Sequence, residues 1–120
     1  MKNSLLLTKS LAFAVRIVKF YQYLCDTKKE YVLSKQVLRS GTSIGANIRE
    51  CKNAQSNADF VSKLSIALKE ADETQYWLEV LTLSNYITET EFASINQDVE
   101  ELIAMLISAI KTSKRKLPSK

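Results

Sequence analysis

Glu70 and Glu73 stand three residues apart, a spacing that puts two carboxylates on one face of a helix, where they could act as a general acid–base pair or hold two metal ions. With Ile66 and Trp77 they form a stripe at i, i+4, i+7 and i+11. Gln36, Arg39, Ser43, Asn47 and Glu50 make a comparable stripe upstream. The Arg39 fork could therefore pair with Glu70 or Glu73, and Asn47 could satisfy a nearby polar group. What the chain lacks argues against the chemical reading. It contains no histidine, hence no ready acid/base near neutral pH, no Ser/His or Cys/His nucleophile pair, and no Glu-x-x-His pair of the kind that builds di-metal sites in helical bundles. Cys25 and Cys51 belong to no CxxC pair and each falls on an apolar stripe, so they read as reduced core thiols. The expectation is a protein that is not an enzyme and uses no metal or cofactor. The two polar stripes then form a network at a helix or subunit interface, with a ligand-binding groove as the alternative.

Positive charge is the other candidate for function. Lys9, Arg16 and Lys19 fall within one face of the first amphipathic segment, Lys35, Arg39 and Arg49 on the outer side of the second, and Lys114, Arg115 and Lys116 near the end. Residues 1–55 carry 10 Lys/Arg against 3 Asp/Glu, residues 56–110 carry 2 against 10, and residues 111–120 add five positive charges with no acid. Contacts from such positions to phosphates would give sequence-independent, salt-sensitive binding of RNA or DNA. The alternatives are an ordinary solvated lysine face and a basic surface that docks an acidic protein partner. No recognition-helix or RNA-recognition signature is present.

These side chains need a scaffold, and composition restricts it. With 46% apolar residues, 2 Gly and 1 Pro in 120 residues, the chain cannot make the many tight turns of a small β-sandwich, and it reads as all-α. The first segment carries two apolar stripes. Leu7, Leu11, Ala14, Val15, Val18, Tyr21 and Cys25 make one; Phe13, Ile17, Phe20 and Leu24 lie alongside as a second. One serves the core and the other needs cover, which hints at self-assembly. In the second segment Leu33, Val37, Gly41, Ile44, Ile48 and Cys51 share a side. Gly41 and Gly45 each cost a helix interior roughly 0.5–1 kcal/mol against alanine, which points to the close approach of another backbone. A phosphate loop is the other reading of that Gly/Ser/Thr patch, but Walker A order is absent. Ser56 with Asp59, and Thr88 with Glu91, read as capping boxes opening two further helices. Those helices carry the alternating four-and-three steps of a heptad seam: Phe60, Leu64, Ala67, Ala71, Thr74, Leu78, Leu81, then Phe92, Ile95, Val99, Leu102, Leu106, Ala109. Short linkers favour antiparallel neighbours. The spacing thus predicts an up-down-up-down four-helix bundle over residues 1–113, with helices near 4–25, 32–53, 57–84 and 89–112, and a basic tail over 114–120. No uninterrupted apolar stretch suits a secretory leader or a membrane span, so a cytoplasmic protein is expected.

The run Gln36-Val-Leu-Arg-Ser-Gly-Thr-Ser-Ile-Gly-Ala-Asn-Ile-Arg-Glu50, and the run from Asp59 through Lys63, Ile66, Glu70, Glu73 and Tyr76 to Leu78, resemble the bacterial four-helix-bundle family of 23S rRNA intervening-sequence proteins. The resemblance extends over roughly residues 5–115, with Cys51 standing where a small residue is usual. It implies an antiparallel bundle that assembles as a ring-like homopentamer, from genes sometimes lying inside insertions in ribosomal RNA genes. More distantly the chain is similar to the accessory protein of diversity-generating retroelements, a basic pentamer that binds nucleic acid and a reverse transcriptase. Of the basic residues above, Arg39 is the one the matching motif covers most closely, so the resemblance carries the fold further than it carries nucleic-acid binding.

Overall fold

The computed structural model describes residues 4–116 and contains four helices: α1 (Ser4–Asp26), α2 (Leu33–Glu50), α3 (Asn57–Leu83) and α4 (Glu89–Lys114). A 3-10 turn, Cys51–Asn53, continues α2. The helices run alternately up and down in a bundle of 51 × 22 × 21 Å. Consecutive helices pack extensively, whereas α1 meets α4 over a much smaller area. Residues 1–3 and the Leu117–Lys120 part of the expected tail lie outside the described residues. Lys114 itself is helical, because the pattern of α4 carries on to a buried Ile110 and Ser113.

Local chemistry fixes the helix ends. Thr88 and Glu91 form the reciprocal capping box: the Glu91 carboxylate accepts from the Thr88 backbone N–H at 2.8 Å, and the Thr88 hydroxyl accepts from the Glu91 N–H at 3.1 Å. The other cap is only half a box. Ser56 accepts from the Asp59 N–H at 3.0 Å, but the Asp59 carboxylate accepts from Gln55, one residue too early. α3 closes in a Schellman motif with Asn85 at φ 68, the Tyr86 N–H reaching Leu81 O at 2.9 Å and the Asn85 N–H reaching Thr82 O at 3.0 Å. Asparagine tolerates that left-handed position better than most residues. Glu30, inside the polar break, is buried and accepts from the backbone N–H groups of Val32 and Ser34, at 3.3 and 2.7 Å. It thereby caps the start of α2, taking the N–H of the N-cap residue and one free donor of the first turn.

The core shows which of the two α1 stripes it takes. Phe13, Ile17, Phe20 and Leu24, with Leu6, are buried. The outward row is instead Leu11, Val15 and Val18, at 52%, 50% and 40% exposure. The glycines explain the rotation. A Cβ on Gly41 would come within 2.8 Å of Ile17 Cγ1, and one on Gly45 within 3.2 Å of the Ser10 carbonyl oxygen. α1 thus sinks its Ser10–Ile17 side into the shallow surface of α2. At 100° per residue, Leu11, Val15 and Val18 are then carried about a quarter of a turn or more away from that contact. Nearby, the buried hydroxyls of Ser40 and Thr74 bond at 3.0 Å across the α2–α3 contact.

Candidate nucleic-acid interface

Polarised charge in the sequence becomes paired charge within the fold. Lys9 on α1 meets Glu101 on α4 at 2.9 Å. Two turns along, Arg16 meets Asp98 at 2.7 Å and also donates to the backbone oxygen and hydroxyl of Ser94, at 3.1 and 2.7 Å. The basic first half therefore faces the acidic second half inside one subunit, where a neighbouring subunit would otherwise have been needed to explain the pattern. These contacts bridge the α1–α4 side of the bundle, where helix packing is thinnest. Both cations have carboxylates against them, which weakens their claim as phosphate contacts.

Arg39 is engaged as well. Its guanidinium spans Glu70, at 3.4 Å, and Glu73, whose carboxylate also accepts from the Trp77 indole N–H at 3.1 Å. Arg39, Glu70, Glu73 and Trp77 thus form one network across α2 and α3. Other members of the polar stripes are spent locally: the Ser43 hydroxyl donates to Arg39 O, the Asn47 amide to Ser43 O, and Glu50 accepts from Asn53. Gln36 is half-buried on the same helix. With a guanidinium lying between them, the two carboxylates are arranged as partners of a cation. The Cys51 thiol is not poised for nucleophilic attack. Burial pushes the Cys51 thiol up to about 11, so it stays protonated at neutral pH. Cys25 is half-buried beside the Ser34 hydroxyl at 3.7 Å.

The other candidate cations lie in two places. Lys19, Lys35 and Arg49 are exposed on α1 and α2. Lys111, Lys114, Arg115 and Lys116 are exposed together at the end of α4, where their charge complements the carbonyl end of the helix. That end of the bundle also holds a groove of about 880 Å³ between the 3-10 turn with the start of α3 and the last third of α4. Phe60 and Met105 line it, with the hydroxyls of Ser56, Ser108, Thr112 and Ser113; Lys52 and Lys116 complete it, and no carboxylate lines it. The Asn57 amide bonds to Ser113 O at 2.7 Å and ties the two walls together. Sequence reading did not find this groove, whose walls lie some fifty residues apart in the chain. One signal was available: no acid follows Glu101. A smaller hollow of about 260 Å³, lined by Leu7, Leu11 and Ala14 of α1 and by Gly45, Ala46 and Arg49 of α2, adjoins the outward apolar row. Among the described residues no helix is long and apolar enough to cross a membrane.

Three comparisons with known proteins bear on this arrangement. The sequence matches the family described as 23S rRNA-intervening sequence protein over residues 2–108. Its fold superposes with a TM-score of 0.90 on a crystal structure from Bacteroides thetaiotaomicron, a protein of unknown function from the S23 ribosomal protein family. The two share 59% sequence identity, over 92% of this chain and 99% of that one. Among curated proteins no significant match is found.

Proposed function

The chain belongs to the 23S rRNA-intervening sequence protein family, and from that premise we propose that it is a non-enzymatic, self-assembling bundle that binds RNA or DNA through backbone charge, without reading sequence. The observation that carries the nucleic-acid half is the groove end of the bundle, where Lys111, Lys114, Arg115 and Lys116 stand exposed, Lys52 lies across the groove and no carboxylate is among the lining residues. Cations with no carboxylate against them are the ones available to displace counterions from phosphates. Assembly is supported by the Leu11, Val15 and Val18 row and the hollow beside it, a continuous apolar surface of the kind that marks an interface. Five copies in a ring is the stoichiometry the resemblance implies, and a ring needs this surface to meet a different surface of the next subunit. A cytoplasmic location accords with a chain that carries two free thiols.

A second reading, a protein–protein adaptor that binds no nucleic acid, draws support from a specific observation. Lys9, Arg16 and Arg39, three of the cations the sequence offered for phosphate, are already paired with carboxylates of the same chain. Light scattering on nucleic-acid-free protein, followed by titration with RNA and DNA at two salt concentrations, separates the readings. A multimer whose affinity drops steeply with salt supports the nucleic-acid scaffold. A multimer that binds neither polymer at low salt leaves the adaptor.

A further inference from the structure

The acid-free groove differs from the rest of the basic surface in shape and lining. Phe60 and Met105 give it apolar lining, Ser56, Ser108, Thr112 and Ser113 bring hydroxyl side chains, and its two charged lining residues, Lys52 and Lys116, are both cations. At about 880 Å³ it falls within the usual size of small-molecule clefts, roughly 300–1,000 Å³. A duplex presents its phosphates on a convex outer surface and would lie across such a groove without entering it. An unstacked nucleotide has the complementary make-up: a flat apolar base that stacks on an aromatic ring, a sugar rich in hydrogen-bonding oxygens, and anionic phosphates at both ends. We infer that the groove between the 3-10 turn and the last third of α4 seats an unpaired nucleotide of single-stranded nucleic acid. The base lies over Phe60 and Met105, and the flanking phosphates meet Lys52 and Lys116. The inference rests on the nucleic-acid reading above and adds to it a place and a preference for single strands. An acidic peptide would satisfy the two lysines but would leave the apolar lining without a partner.

The test uses fluorescence anisotropy with labelled oligo-uridine, oligo-thymidine and a duplex of the same length, on the full chain. Two variants address the groove. Lys52→Glu with Lys116→Glu reverses its charge, and Ser108→Trp, at an exposed position on its wall, fills it without changing charge. Lys19→Glu with Lys35→Glu is the control for general surface charge. All the substituted residues are exposed, and thermal melting checks that the fold is kept. The expected result is single-strand binding weakened about ten-fold or more by either groove variant, a smaller loss in the control, and duplex binding little changed by Ser108→Trp. If single-strand affinity survives Ser108→Trp and the groove pair is no worse than the control pair, the groove assignment fails while binding by surface charge stands. Equal or tighter binding of poly-glutamate at the groove would assign it to an acidic protein. Binding of no nucleic acid at low salt would overturn the broader reading, and the groove assignment with it.

Discussion

Arg16 illustrates how a single residue changes meaning between chain and fold. On a helical wheel it is one of three cations on a basic face; in the bundle it makes an ion pair to Asp98 and two hydrogen bonds to Ser94. Both partners are partly exposed, so the ion pair contributes at most about 1 kcal/mol. Arg16→Ala is expected to lower stability modestly, and a double-mutant cycle with Asp98→Ala should return a coupling of about 0.5 kcal/mol at moderate salt, read from urea unfolding. The same variant should leave nucleic-acid affinity almost unchanged. A large loss of binding would mean that Arg16 leaves Asp98 to reach phosphate. The pairing of Arg39 with Glu70 and Glu73 was legible in the sequence, because both stripes flank the α2–α3 seam and only one axial register brings them level. The partners of Lys9 and Arg16 were not. Nothing in the sequence fixes the register of α1 against α4, helices separated by most of the chain.

At the level of the helices, the heptad seams of α3 and α4 were readable because their apolar residues recur at alternating steps of four and three, and Leu64, Ala67, Ala71, Leu78 and Leu81, then Val99, Leu102 and Leu106, are buried on those steps. α1 was not, since apolar residues surround most of it and two rows compete for the core. Gly41 decides that competition. A methyl there meets the branched carbons of a fully buried Ile17, which has no free space to move into. Gly41→Ala is therefore expected to destabilise by about 1–3 kcal/mol even though alanine is the better helix former. Gly45→Ala, whose added methyl only presses on the Ser10 carbonyl at 3.2 Å, should cost less. Chemical denaturation ranks the two, and the reverse order would show that α1 can slide over α2. The start of α4 supplies a pH signature. The hydrogen bond from the Thr88 backbone holds the Glu91 carboxyl below the ordinary glutamate range. A carboxylate lowered on folding adds stability that is fully present above its unfolded value, about 4.3, and is lost as pH falls through its folded value. Glu91→Gln should thus be less stable than the parent at pH 7, with the gap narrowing on acidification below about pH 4. A gap constant with pH would contradict this role for the cap.

For the molecule as a whole, the ion pairs within the chain and the outward apolar row divide the surface into parts with different tasks. Leu11 and Val15 are half-exposed and contribute little to the core of one subunit. Leu11→Glu with Val15→Glu should therefore dissociate the proposed assembly while the isolated bundle keeps its helical circular dichroism. Sedimentation that finds the multimer intact would place the interface elsewhere. The four-helix fold was legible in the amino-acid sequence, from helical period, caps and short linkers. The distribution of free charge was not, because it depends on which cations fold against acids, and only the stretch after Glu101 keeps its charge for lack of any acid in sequence. The central claim is that this remaining charge binds nucleic acid by its backbone. The most direct test is an anisotropy titration of nucleic-acid-free protein against two RNAs of unrelated sequence over a salt series. The predicted result is a linear fall of log affinity with log salt, along the same line for both RNAs, with a slope near −3 if about four phosphates are contacted. Absence of binding at the lowest salt, or affinity that follows RNA sequence and ignores salt, would contradict it.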